Sequence, residues 1–97
     1  MQHRLVHYRV KKEAIAKVIE ATNAFVDEVG RKEGGTASYQ ALQQEDDATR
    51  FVHWMAFRVP SAAKYHEGTA WRKRFVELVT PLCEEPPRVV DLKPLAS

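Results

Sequence analysis

The chain predicts an α+β fold of the ferredoxin-like, split βαβ type, with a four-stranded antiparallel sheet carrying its helices on one face. Three observations lead there. Hydrophobic spacing along the sequence runs in steps of two, then three to four, then two twice, then three to four, then two. At 97 residues the chain is one domain, residues 1–97, since this length gives a single core. One strand is apolar on both sides, more than a single layer of helices can cover.

Residues 4 to 10 form the first strand. Val6, Tyr8 and Val10 share one side and Leu5, His7 and Arg9 the other, the alternation that a pleated strand imposes. From Lys12 the spacing changes: Ile15, Val18, Ile19, Phe25, Val26 and Val29 recur at three- and four-residue steps opposite Lys17, Glu20, Asn23, Asp27 and Arg31. That is an amphipathic helix of about four to five turns. Gly30, or the pair Gly34-Gly35, is expected to supply a left-handed residue that ends it. Thr36 to Gln43 and Thr49 to Val59 flank the turn formers Gln44 to Ala48 and read as a hairpin. Pro60 stops the second of these strands, because proline lacks the ladder N–H and suits the first turn of a helix. A short helix, Ala62 to Glu67, is broken by Gly68. Thr69 then caps a last helix in which Trp71, Phe75, Leu78, Val79 and Leu82 form the expected buried stripe, closed or kinked at Pro81. Arg88 to Leu92 is the fourth strand, ended by Pro94.

The third strand decides the assembly. Phe51, Met55, Phe57 and Val59 lie on one side and Val52, Trp54 and Ala56 on the other. Helices cover one side only, and the other would be an apolar patch larger than soluble monomers tolerate. A second copy packed sheet against sheet on a two-fold axis is the economical cover, so a homodimer closing toward a barrel is expected, with Trp54 at its interface.

Composition narrows the partners. Fifteen Lys and Arg against thirteen Asp and Glu leave a net charge of +2, too near balance to draw the chain onto a polyanion. The RNA-recognition fold shares this element order, but its third strand needs a basic-Gly-aromatic pattern that Arg50-Phe51-Val52-His53-Trp54 lacks. The run Arg72-Lys73-Arg74 is assigned to the solvated side of the last helix, so no nucleic acid is expected. The single cysteine, Cys83, cannot form an internal disulfide, and no run of apolar residues has the length of a membrane span or signal peptide. These features read as a cytoplasmic protein. No metal is expected: His3 and His7 stand about 13 Å apart along one strand face, and a cross-strand pair of His7 and His53 has no third ligand.

Several segments together resemble the antibiotic biosynthesis monooxygenase-type domains of the dimeric α+β barrel superfamily. The residues that carry the likeness are Glu33-Gly34-Gly35-Thr36 with Tyr39, then Asp47-Ala48-Thr49-Arg50-Phe51-Val52, His66, Phe75, Pro81-Leu82, Glu85-Pro86-Pro87 and Leu92-Lys93-Pro94-Leu95. The likeness implies a dimer. It also implies membership of a group that includes oxygenases of phenolic or quinol-like compounds using no metal or flavin, so no cofactor is expected. The chain departs from the pattern where the family often has two acidic residues and a Trp on the third strand, having Met55, Ala56 and Phe57 there. Where a Pro-His-aromatic step opens the last helix it has Ala70-Trp71-Arg72. The haem-degrading branch requires an Asn on the first strand, a Trp near position 57 and a His on the last helix, and the chain offers Tyr8, Phe57 and no such His.

His66 is the candidate catalytic residue. A histidine titrating near neutrality in a cleft can take a proton from an acidic phenol or enol, and the anion can then pass an electron to dioxygen. The plain alternative is a structural imidazole bonded to backbone. Tyr39, Phe57, Tyr65 and Trp71 are the candidate substrate-binding residues, with Trp54 a further aromatic, and they suit a small flat apolar ligand. Tyr39 and Tyr65 are expected to orient a substrate oxygen. Two functions follow: a dimeric, cofactor-independent monooxygenase, or a non-catalytic dimer that binds a small ligand or serves as an accessory protein.

Overall fold

Strand β1 (Gln2–Arg9) runs through the interior of the sheet, paired on one side with β3 (Arg50–Phe57) and on the other with β4 (Arg88–Leu92). Strand β2 (Thr36–Gln43) pairs with the far side of β3, which gives the order β2-β3-β1-β4 with every neighbour antiparallel. These positions come from a computed structural model that describes residues Met1–Ser97. Helix α1 (Ile15–Lys32) follows β1 after a 3-10 turn at Lys12–Ala14; α2 (Pro60–Glu67) and α3 (Ala70–Val79) lie between β3 and β4. The split βαβ arrangement is therefore as the periodicity predicts. No helix is long and apolar enough to cross a membrane.

Register sorts the side chains by face. Opposite β1, Val6 faces His53, Tyr8 faces Phe51 and Arg4 faces Met55, so these share the helix-covered side. Buried Tyr8, Val10, Ala14, Val18, Phe51 and Val79 form the larger core cluster, and Met55, Phe57 and Ala63 the smaller. Phe25 of α1 stacks on Phe75 of α3 with ring centroids 4.7 Å apart, joining the two long helices over the sheet. The uncovered face carries Leu5, Val52, Trp54, Val90 and Leu92, with Trp54 stacked on His3. Val90 and Leu92 are exposed there.

Some local expectations change. Helix α1 runs through Gly30, and no glycine in the chain has a positive φ. The helix stops instead at Glu33, whose N–H donates to the Val29 carbonyl while its own carbonyl accepts from Thr36 N–H. Strand β3 ends at Phe57 rather than Val59, since Arg58 N–H already donates to Gly35 and Val59 becomes the exposed residue before α2. Helix α2 starts at Pro60, two residues earlier than expected. In α3 only Val79 of the predicted stripe is fully buried, and Leu78, one helical step away, lies exposed. Thr69 does cap α3, its hydroxyl accepting from Arg72 N–H at 3.3 Å.

One glycine is fixed by packing. A Cβ at Gly35 would lie 2.6 Å from the Ala62 Cβ, so only glycine lets α2 settle this closely on the turn after α1. That approach brings His66 of α2 to Glu33, two residues before Gly35.

Candidate functional site

Between the helix layer and the sheet lies a cavity of about 230 Å³. Sheet residues Arg4, Val6, Tyr8, Tyr39, His53 and Met55 form its floor. Phe25, His66, Arg72, Phe75, Val76 and Val79 form the helical wall, and Pro87 and Val89 close one side. Most of this lining is apolar, with a few polar groups converging on it.

The first of these groups is a buried pair. Glu33, at the end of α1, and His66, in the last turn of α2, are both almost fully buried. Carboxylate Oε1 accepts from the Thr36 hydroxyl at 2.7 Å and from His66 Nδ1 at 2.8 Å; Oε2 accepts from the Trp71 indole at 2.6 Å and from the same Nδ1 at 3.0 Å. Because a carboxylate offers only lone pairs here, His66 carries its proton on Nδ1. The neutral ring then presents a lone pair at Nε2, which has no protein partner, in a residue that lines the cavity. Burial moves the His66 titration below its ordinary 6.5; the cations Arg72 and Arg4 act the same way, and together they outweigh Glu33. A neutral imidazole with a fixed tautomer and an open nitrogen can act as a general base.

The second group is His53, held between two phenols. The Tyr8 hydroxyl lies 2.7 Å from Nε2 and the Tyr39 hydroxyl 2.8 Å from Nδ1. Burial lowers the His53 titration to about 4, with His66 adding repulsion, and burial also raises both phenols, so all three groups are neutral at pH 7. A neutral imidazole donates to one phenol and accepts from the other. In the tautomer with the proton on Nδ1, Tyr8 donates to Nε2 and Tyr39 keeps its own O–H for a molecule in the cavity; in the other tautomer the two phenols exchange these roles.

This buried histidine makes stability depend on pH. Between pH 6.5 and 4 the unfolded chain binds the His53 proton and the folded chain does not, so stability falls as pH falls through that window. The loss is about 3 kcal/mol at completion, from roughly 1.4 kcal/mol per unit of displacement. Urea unfolding at pH 7 and pH 4 measures it. His53→Phe, which has no proton to bind, is expected to reduce the pH dependence to the share that His66, also lowered, contributes; an equally steep fall in that variant would remove His53 as a source.

The sequence profile of the antibiotic biosynthesis monooxygenase family matches residues 1–78. The chain belongs to the antibiotic biosynthesis monooxygenase family. Among solved structures, an antibiotic biosynthesis monooxygenase-type protein from Nitrosomonas europaea is 29% identical and superimposes with a TM-score of 0.93 over 99% of this chain and 100% of its own. A protein of Mycobacterium tuberculosis, 21% identical, gives 0.89 over 99% of this chain and 96% of its own. One from Pseudomonas aeruginosa, 20% identical, gives 0.86 over 98% and 94%. The last two share the fold. No curated protein matches the chain.

Within this family fold the residues singled out from sequence are distributed as follows. His66 and Tyr39 line the cavity together, their ring centroids 5.8 Å apart. Phe57 packs behind His66 at 5.4 Å, and Trp71 uses its indole on Glu33. Tyr65 differs from expectation: it precedes His66 by one residue, about 100° around the helix, and is 57% exposed beside Lys32 and Gly34, outside the cavity. Trp54 lies on the opposite face of the sheet. His7 faces Val52 and not His53, so those two histidines point to opposite faces. Arg72, assigned from sequence to solvent, lines the cavity, as do Arg4, Tyr8 and His53. Of these, His53 was legible: it shares the parity of Phe51 and Met55 and so had to face the core.

Proposed function

We propose that this protein is a cofactor-independent monooxygenase that oxidises a small phenolic or quinol-type compound as a homodimer. The observation that carries the reading is the buried Glu33–His66 pair, with no protein partner at Nε2, in the lining of a largely apolar cavity. In this mechanism His66 removes the proton of a substrate hydroxyl or enol through Nε2, and Glu33 stabilises the imidazolium that forms. Tyr39, backed by His53 and Tyr8, donates to the resulting oxyanion. The electron-rich anion gives one electron to dioxygen, and the radical and superoxide combine through a new C–O bond. Loss of water from the resulting peroxide, with the departing C–H proton, leaves a carbonyl. The ring C–H, the hydroxyl proton returned by His66 and O₂ thus become a new C=O and H₂O, and the former hydroxyl remains as the second carbonyl of a quinone. Phe57 and Trp71 hold His66 and Glu33 in place, and Tyr65 serves at most the outer surface of α2.

The apolar face containing Leu5, Trp54, Val90 and Leu92 supports the dimer, since the helices of residues 1–97 pack on the other face of the sheet. A second reading, a non-catalytic ligand-binding or accessory dimer, is favoured by the apolar, buried Met55, Ala56 and Phe57 at positions where the family often has carboxylates and a Trp. Oxygen uptake and thermal shift with one panel of hydroquinones and anthrone-like phenols separate the two. Uptake that follows binding is the expected result. Binding without uptake across the panel would establish the second reading, and sedimentation of a stable single chain would remove the dimer from both.

A further inference from the structure

We infer that the cavity selects a one- or two-ring aromatic acid, with the substrate's anionic group held by Arg72 and its hydroxyl directed to His66. This deepens the reading of the cavity as a substrate site and rests on it.

Charge sets one residue of the lining apart. Two arginines, Arg4 and Arg72, line the cavity, and no Asp or Glu does. Arg4 is already engaged, with Nη1 on Glu67 at 3.0 Å and Nε on Asp91 at 2.8 Å, and its guanidinium lies over the Phe57 ring. Arg72 has no carboxylate partner; its side chain donates only to the Glu67 backbone carbonyl, at 3.3 Å. The nearest buried carboxylate, Glu33, is occupied by Thr36, His66 and Trp71. The other titratable groups of the lining, Tyr8, Tyr39 and His53, are neutral at pH 7. A largely apolar cavity lined by one half-buried cation with no counter-charge on the protein is matched by a ligand that brings an anion, and a planar guanidinium takes a carboxylate by paired, charge-assisted hydrogen bonds.

Position and size limit the ligand further. Arg72 stands in the first turn of α3 and His66 in the last turn of α2, so the cation and the open nitrogen reach one cavity from adjoining helix ends. The field of Arg72 is felt at both His66 and Tyr39. An apolar cavity of about 150 Å³ holds a benzene ring, and drug-sized ligands need roughly 300 Å³ or more. At about 230 Å³ this one suits a single substituted ring or a fused pair.

Calorimetric titration of the intact protein with 2,5-dihydroxybenzoate, its methyl ester and methylhydroquinone tests this. The acid is expected to bind at least about tenfold more tightly than the ester, a preference that weakens with salt. Arg72→Gln should bring the acid-to-ester ratio near one, and Arg72→Lys should keep part of the preference. Equal binding of acid and ester, persistence of the preference in Arg72→Gln, tighter binding of a neutral anthrone-like tricycle, or no binding by any of the set would each overturn the inference. Neutral hydroquinones that bind and consume oxygen without acid preference would end the inference and leave the monooxygenase reading standing. Acid-selective binding without oxygen uptake would do the reverse.

Discussion

His66→Ala is expected to lower the turnover of an accepted phenol by about 10²–10⁴-fold, the range typical of losing a positioned general base. The variant still folds in this account, because Glu33 keeps its bonds from Trp71 and Thr36 and the helix layer keeps its apolar contacts. The loss should appear in kcat more than in KM, since the lone pair at Nε2 acts on the transition state and the cavity walls do the binding. A pH profile gives an independent signature. The His66 titration lies below 6.5, so the wild-type rate rises as pH increases through that lower range and then levels, whereas the residual rate of the variant lacks that limb. An unchanged rate in a folded His66→Ala protein with the assembly of the wild type would remove the imidazole from the chemistry.

Glu33→Ala is expected to cause the largest loss of stability of any single polar substitution. It strips the acceptor from three donors, the Thr36 hydroxyl, the Trp71 indole and His66 Nδ1, in a site that is 4% exposed at Glu33 and 3% at His66. A donor left without a partner costs about 1–3 kcal/mol, more at buried His66 than at half-buried Thr36 and Trp71, and relaxation recovers part of the sum, so roughly 3–5 kcal/mol is expected. For a domain of this size that is a fall in melting temperature of about 12 °C or more. Glu33→Gln retains one carbonyl acceptor and should fall between wild type and Glu33→Ala. A loss below about 1 kcal/mol for Glu33→Ala would mean that water replaces the carboxylate and that the turn is less enclosed than the geometry indicates.

The fold was legible because its signals are local. Alternation at Val6, Tyr8 and Val10, the three- and four-residue spacing from Ile15 to Val29 and the proline at position 60 each depend on a few neighbouring residues. The uncovered sheet face was legible too, since Trp54 and Met55 must point apart on any strand. The polar site was only half legible. His66 and Tyr39 stood out, but Glu33 looked like a turn residue, and its role exists only because α2 packs against Gly35 and carries His66 to it across 33 positions of sequence. Arg72 was assigned to solvent through its basic neighbours Lys73 and Arg74; the cap at Thr69 sets the helix rotation that brings Arg72 to the cavity. His53 needed the register of β1 and β2 before its two phenol partners could be named.

The carboxylate at position 33, at the end of α1, gathers bonds from three other stretches of chain: the start of β2, the final turn of α2 and the opening turn of α3. Its neighbourhood therefore behaves like a keystone. Shifting any one of those stretches alone strands the donors of the others, so attempts to widen the chamber for bulkier guests by re-aiming a helix would have to rebuild all four together. The side of the chamber formed by Val89 and Pro87 carries no such tie, and enlargement there is the route that leaves the proton-handling apparatus undisturbed.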